Sequence, residues 1–479
     1  MNERSSPQWV VMKFGGTSVS SLACWDTICA QAVKHRNEGK DVLIVVSALS
    51  GMTNLLTSLA GEVDEGERER IRCEIIERHR DMFTRLEIEP SERFQAQHRK
   101  LLEIIDGAGE RMGDRQRAEL LAHGELLSSS MGEQVLGAAG LEASWQDARQ
   151  LLRALPETES EPLSVRCEDQ ADPELAKRLA TIGGLHITQG FIASDSEGRT
   201  CLLGRGGSDT SAACFAALLS AVSLEIWTDV PGMFSADPRK VPEARLLRQL
   251  SYMEAQELAS MGAKVLHPPS IQPARQNDIP VSIKDTNHPG EAGTRIAKRV
   301  QGQGGQVKGV VSREDITVIT MSNPAMWRQA GFLADAFSVF RDHGYSVDLV
   351  STSESTVTVS LDPQVPAHHD GQRMAAFLAD LERLCRVRVY RGCVSISLVG
   401  NAIRTILGRL SAALDVFQDH HVYMVTQSAN DLNLTLVVDS ANAGNLVREL
   451  HAELIPPVKA DCPQFGASWT DLVQPTGKS

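Results

Sequence analysis

Apolar positions fall into two textures along this chain. Up to about residue 300, unbroken apolar runs alternate with amphipathic stretches. Trp9–Phe14 and Val42–Ser47 are runs of the kind found in strands covered on both faces, as in parallel sheets. Between them lie Gly15 and Gly16, a polar Thr17-Ser18, and a helical pattern through Trp25 to Arg36. Strand, glycine loop, helix, strand is a βαβ unit. From about Glu62 to Gln134, apolar residues such as Ile71, Ile75, Met82 and Leu86 recur at helical spacing in a charged background. That predicts a helical cover inserted after the second strand. Strands are expected again at Gly184–Ile192, Leu224–Thr228 and Pro280–Lys284, with helices over Ser208–Ser220 and Tyr252–Met261. The fold class that follows is an α/β sandwich around a mainly parallel sheet.

The second texture starts after Gln301–Gln306, a polar glycine-rich hinge. Strands are predicted at Ile316–Met321, Ser346–Ser351, Thr356–Leu361 and Arg386–Val389, with helices over Gly331–His343 and Gln372–Leu384. The order β-α-β-β-α-β is the ferredoxin-like pattern. It recurs with strands at Val394–Val399, Tyr423–Gln427 and Leu432–Val438 and helices over Ile406–Phe417 and Ala441–Leu450. Two copies of one small α+β module therefore follow the sandwich.

Composition narrows the class without changing the architecture. A formal net charge of −13 makes nucleic acid and anionic membrane surfaces poor partners. No apolar run is long enough to span a membrane, and the polar start lacks a signal-peptide core, so the expected location is cytoplasmic. Nine scattered cysteines without a Cys-x-x-Cys pair predict neither a disulfide framework nor a zinc site.

Candidate chemistry sits at the ends of the predicted strands. Lys13 ends the first strand ahead of Gly15 and Gly16, where bare backbone N–H groups and a point charge suit phosphate. The spacing is not that of a Walker A loop. Gly204-Arg205-Gly206-Gly207-Ser208-Asp209 opens a helix; capping explains Ser208 and Asp209, but three glycines around an arginine better suit a bound carboxylate. Trp227 to Arg239 runs from a strand end through Pro231-Gly232 to an Asp-Pro-Arg corner, the position where open α/β sheets bind nucleotides. Lys264 in Gly262–Pro268 is within a segment that could reach phosphate. Glu125 is a single glutamate on a helix, a position that ordinarily faces solvent.

Taken together, Lys13–Val19, Ser47–Asn54, His123-Gly124-Glu125, Gly204–Asp209, Trp227–Arg239 and Gly262–Pro268 resemble the aspartate kinases, in that family's order and over residues 10 to about 440. The likeness is to the lysine-sensitive type. It implies an amino-acid-kinase domain at 1–300 and two ACT modules, one at 313–388 and the other from 306–312 plus 389–465, with a tail at 466–479. It implies a catalytic pair, Lys13 and Asp209. It implies a substrate pocket of Ser47, Thr53, Glu125, Arg205, Gly206, Gly207 and Ser208, with Arg205 on the α-carboxylate of L-aspartate and Glu125 on its ammonium. It implies nucleotide contacts from Lys13, Gly15, Gly16, Thr228, Asp229, Phe234, Arg239, Lys264 and Val265, with ATP carrying Mg2+. Phe234 stands where the family often has Tyr. It implies an amino-acid effector, lysine or threonine, at Met326, Phe332, Leu333, Val347, Asp348, Ser353 and Glu354, in a homodimer or dimer of dimers. Gln329 stands where lysine-sensitive relatives carry Ser. The alternatives are a glutamate or N-acetylglutamate kinase on the same fold, or a non-catalytic amino-acid sensor. The inventory itself fits phosphoryl transfer to a carboxylate: that nucleophile is ionised at neutral pH, so positioning and charge neutralisation replace a general base.

Overall fold

The computed structural model describes residues 7–107, 111–263, 265–300, 304–324, 330–361, 371–406, 408, 415–418, 420–441, 443–457 and 462–473. The chain divides into two compact units. The first holds Met1–Met233, Arg248–Tyr252 and Val265–Val300; the second holds Phe234–Leu247, Met253–Lys264 and Gln301–Ser479.

The first unit is built on an eight-stranded sheet. Its strands are β1 (Trp9–Phe14), β2 (Asp41–Val46), β3 (Ser144–Trp145), β4 (Leu185–Gln189), β5 (Ser223–Thr228), β6 (Gln249–Leu250), β7 (Val281–Asp285) and β8 (Thr294–Ile296), in the order β3-β4-β2-β1-β5-β7-β8-β6. The central pairs are parallel, with Lys13 opposite both Val45 and Ile226. Every residue of β1 and β2 is buried, which is why both read as unbroken apolar runs.

The helices begin where their caps lie. Ser21 accepts from the Cys24 N–H at the start of α1 (Leu22–Asn37). After α2 (Met52–Leu59), Asp64 caps α3 (Glu65–Leu86) and Ser91 caps α4 (Glu92–Asp106) through the N–H groups of Glu67 and Phe94. The long α5 (Asp114–Ala138) is different in kind. Its stretch from Leu120 to Gly132 is buried almost without a break. Gly132 has no room for a side chain, because a Cβ there would come within 2.4 Å of the Trp25 ring and 2.6 Å of Ile187. Gly132→Ala is expected to lower stability by about 1–3 kcal/mol through overpacking; a urea midpoint equal to that of the parent would refute the close fit.

The sequence predicts one strand over Gly184–Ile192, and the structure breaks it at Gly190-Phe191 into Leu185–Gln189 and Ile192–Ser194. Phe191 adopts φ 68°, a left-handed conformation that costs a bulky residue energy.

In the second unit one six-stranded antiparallel sheet carries both small modules. Its strands are β9 (Gln306–Ser322), β10 (Val347–Thr352), β11 (Thr356–Leu361), β12 (Arg386–Asn401), β13 (Val422–Gln427) and β14 (Asn433–Val438), ordered β10-β11-β9-β12-β14-β13. The separate short strands expected at Arg386–Val389 and Val394–Val399 are one strand, and the strand at Ile316–Met321 extends back to Gln306. The sheet is therefore shared. β9 and β12 pair along most of their lengths, with register shifts between Val307 and Gly309 and between Arg313 and Val318. Over this sheet lie α7 (Phe332–Asp342), α8 (Gly371–Glu382) and α9 (Ala443–Leu454); here α6 is the first-unit helix Gly207–Leu218. Of the helix predicted over Ile406–Phe417, the described residues form short 3-10 turns at Ile403–Ile406 and Asp415–Phe417.

All nine cysteines are free thiols. Among the described residues, no helix is long and apolar enough to cross a membrane, and no cluster of His, Cys, Asp or Glu could hold a metal ion.

Candidate active site

The site in the first unit is assembled at the C-terminal ends of the central strands, where β1, β2 and β5 run into loops. Lys13, one residue before the end of β1, is mostly buried, and its Nζ lies 2.6 Å from Asp209 Oδ1. Asp209 comes from the first turn of α6, where acids are favoured by the helix dipole. Residues nearly 200 positions apart in sequence thus form one charge pair.

The two glycine motifs earn their glycines by space. At Gly16 a Cβ would lie 2.8 Å from the Ala48 carbonyl. Gly206, with φ +70°, would place one 2.6 Å from Ser270 Oγ, and Gly207 one 2.5 Å from the Phe191 ring. Gly204 is also left-handed, at φ +69°. The Arg205 side chain between them is exposed.

Glu125 is the largest departure from expectation. Far from facing solvent, it is buried in α5, and its Oε2 makes no hydrogen bond among the described residues. Burial pushes its carboxyl up to about 8, against the opposing pull of backbone hydrogen bonding at Ala48 and of the Lys13 charge. Ser47 follows β2 and its N–H donates to the Phe14 carbonyl; Thr53 lies in the first turn of α2. Lys13, Ser47, Thr53, Glu125, Arg205 and Asp209 thus all belong to the first unit.

Sequence reasoning missed Phe191. Its ring packs on Gly207, and its N–H donates to Ser211 Oγ, 3.0 Å away, so a strained residue backs the helix start that carries Asp209. A phenylalanine directly after a strand-ending glycine, Gly190, was the available signal.

The expected nucleotide residues divide between the units. Thr228 ends β5 and Asp229 follows it, with Thr228 Oγ1 3.2 Å from Asp229 Oδ1, and Val265 is also in the first unit. Phe234 and Arg239 belong to the second unit. There the Phe234 ring is buried edge-on against Trp469 at 5.4 Å, and Arg239 is exposed and paired with Asp237 at 2.8 Å. Lys264 lies outside the described residues.

In the second unit the residues expected to bind an effector also separate. Phe332 sits in a hydrophobic core with Phe340 and Phe377. Leu333, Asp348, Ser353 and Glu354 are exposed, and Val347 is half-buried. Asp348 accepts from Arg313 Nη1 at 2.6 Å. Met326 and Gln329 lie outside the described residues.

Residues 8–285 match the model of the amino acid kinase family. The lysine-sensitive aspartokinase 3 of Escherichia coli is 34% identical over 459 residues, an alignment covering 93% of this chain and 99% of the relative. The chloroplastic aspartokinase 1 of Arabidopsis thaliana is 32% identical over 462 residues, covering 92% of this chain and 79% of that protein. Among solved structures, E. coli aspartokinase III in complex with aspartate and ADP superposes with a TM-score of 0.77 at 32% identity, covering 94% of this chain and all of that one. The same enzyme in complex with lysine and aspartate gives a TM-score of 0.75 at 30% identity, with the same coverage.

Proposed function

This chain belongs to the amino acid kinase family, among its aspartokinases, and we infer from its site how it phosphorylates the side-chain carboxylate of L-aspartate with ATP under ACT-module control. The observation that carries the reading is the Lys13–Asp209 pair, set between two glycine motifs and beside the buried Glu125.

In the proposed mechanism the nucleotide's phosphates lie along Gly15 and Gly16, where no side chain stands in the way; the Gly15 N–H itself is held by the Trp227 carbonyl. Lys13 neutralises charge on the transferring phosphoryl group, and Asp209 holds the Lys13 ammonium in place. Thr228 and Asp229 contact the nucleotide. Val265 is a further proposed nucleotide contact in the same unit. Arg205 grips the α-carboxylate of aspartate with its fork, and Glu125 takes the α-ammonium. Ser47, Thr53, Gly206, Gly207 and Ser208 shape the rest of the pocket. The incoming carboxylate is already an anion, so no base is required. Magnesium is proposed to travel with ATP. Asp209, beside Lys13, is a carboxylate that would suit it, and ATP's own phosphate oxygens would supply part of the ion's shell. The ion supplies charge neutralisation when bound.

An ATP-dependent hydroxamate assay decides the substrate. Aspartate should give product and glutamate and N-acetylglutamate should not; the reverse pattern would refute the assignment.

Control is proposed to run through Met326, Phe332, Leu333, Val347, Asp348, Ser353 and Glu354, with lysine as the effector, in a cytoplasmic homodimer joined by the ACT modules. An effector ammonium would compete with Arg313 for Asp348. Asp348→Ala is expected to weaken lysine inhibition by about tenfold, as for loss of one charged hydrogen bond, while leaving uninhibited kcat unchanged. Inhibition curves that superpose with the parent would remove Asp348 from the effector site.

A further inference from the structure

A buried charged network lies within the central sheet of the first unit, and the mechanism above does not use it. Glu225, on β5, is flanked by β1 and β7 and is almost fully buried. Lys284 on β7 donates to its Oε1 at 2.7 Å. His35 of α1 brings Nε2 to 3.3 Å from the same oxygen. The other oxygen, Oε2, accepts from the Trp227 indole N–H at 3.0 Å. Burial raises the Glu225 carboxyl's pKa, but His35 and Lys284 together outweigh it and hold the group down at about 2. Glu225 is therefore an anion held in the middle of a protein sheet.

Apolar residues of similar size could fill such positions at no loss of stability, because desolvating an ion pair offsets most of its attraction. The geometry around Trp227 supplies another reason for the charges. Lys284 Nζ sits 5.0 Å from the Trp227 ring centroid, a cation–π distance, while Phe14 stacks on the same ring at 5.7 Å and 17°. Phe14 is the residue before Gly15. The Gly15 N–H donates to the Trp227 carbonyl at 3.1 Å, and Ser18 Oγ donates to that carbonyl at 3.5 Å. Thr286, two residues after Lys284, donates to Ser18 Oγ at 2.7 Å. Two bonds at the start of the glycine loop, from the Gly15 N–H and Ser18 Oγ, thus end on Trp227, and the Trp227 ring is held by Glu225 and Lys284.

We propose that Glu225, Lys284 and Trp227 are positioning residues for phosphoryl transfer, holding the Phe14–Ser18 loop at the height where Gly16 and Lys13 meet the nucleotide phosphates. This rests on the reading of that loop as the phosphate site. The alternation of β1 puts Phe14 on the face opposite Lys13. The network therefore works from behind the loop and never touches substrate.

The test is steady-state kinetics of Lys284→Met, Lys284→Arg and Trp227→Phe, with thermal melting alongside. Lys284→Met should raise KM for ATP on the order of tenfold, as expected when a remote change shifts a binding group by a fraction of an ångström. KM for aspartate should stay within about twofold. Lys284→Arg, which keeps the cation, should recover most of the loss. Trp227→Phe, which keeps the stack and loses the N–H, should move KM for ATP the same way by less. A merely structural network would lower the melting temperature and leave both KM values alone, or raise them together; either result overturns the proposal. If Lys284→Met does not fold, Trp227→Phe with an unaltered KM for ATP overturns it as well. An inactive Lys13→Met enzyme beside an ATP-neutral Lys284→Met enzyme defeats this proposal alone. A fully active Lys13→Met enzyme defeats the phosphate-site reading beneath it.

Discussion

Lys13→Met should lower kcat by about a hundredfold to a thousandfold, the usual consequence of deleting one preorganised charge from a phosphoryl-transfer site. The expected effect is large for two reasons. The lysine is close to full burial, so water cannot replace its ammonium. Its removal also leaves Asp209 without its cation, in a place where a phosphate must approach. The fold should survive, because β1 is held by two parallel neighbours and by apolar side chains on both faces. Hydroxamate turnover at saturating ATP and aspartate measures the loss, and circular dichroism checks the fold. A variant within tenfold of the parent would remove Lys13 from the chemistry.

Glu125 governs the second large effect, which depends on pH. Its carboxyl, ordinarily near 4.5, is raised to about 8 by burial. An aspartate ammonium binds the ionised form, so below pH 8 aspartate binding must release a proton. Apparent KM for aspartate should therefore fall as pH rises, being roughly fivefold higher at pH 7 than at pH 8 by proton linkage. The stability consequence has the opposite sign from that of an ordinary paired carboxylate. Because the folded value lies above the unfolded one, the folded state holds the extra proton between about 4.5 and 8. Stability contributed by this group is therefore lost as pH rises through that window, and the full penalty is present above 8. Glu125→Gln removes both effects. It should raise KM for aspartate by at least about tenfold through loss of a charged hydrogen bond, flatten its pH profile, and make the free enzyme more heat-stable at pH 8. A pH profile unchanged from the parent's would show that Glu125 does not bind the ammonium.

The parts of this fold legible in sequence were those with local causes. β1 and β2 are nearly continuous apolar runs because the sheet is covered on both faces, β5 places a buried Glu225 among apolar neighbours, and the ends of all three fell within a residue of expectation. The two glycine motifs were legible because close backbone approach excludes every other residue, and the predicted Lys13–Asp209 partnership appears as a short ion pair. What stayed hidden depends on distant partners. The burial of Glu125 is hard to read in sequence, since the leucines beside it are mixed with serines, a glycine and a histidine that suit either environment. The register that puts Glu225 against Lys284 is set by strand pairing. The merging of two strands into β12 was obscured by Tyr390, Arg391 and Gly392, which read as a turn yet lie within the extended pairing with β9. Likewise, Phe234 and Arg239 follow β5 directly in sequence, but the chain passes into the second unit at Phe234.

The shared strand β9 has a mechanical consequence. A strand paired in constant register behaves as a stiff bar, whereas one that slips register has a joint at the slip. Besides a slip between Val307 and Gly309, β9 has a joint between Arg313 and Val318, where Asp315 takes φ 60°. On the module bounds expected from sequence, 306–312 and 313–388, the joint falls beside the point where one module's part of the strand would meet the other's. Arg313 stands on it, tied at 2.6 Å to Asp348. A ligand that took hold of Asp348 would therefore act on a pivot, where a small force turns one arm of the bar against the other, instead of on a rigid stretch that would absorb it.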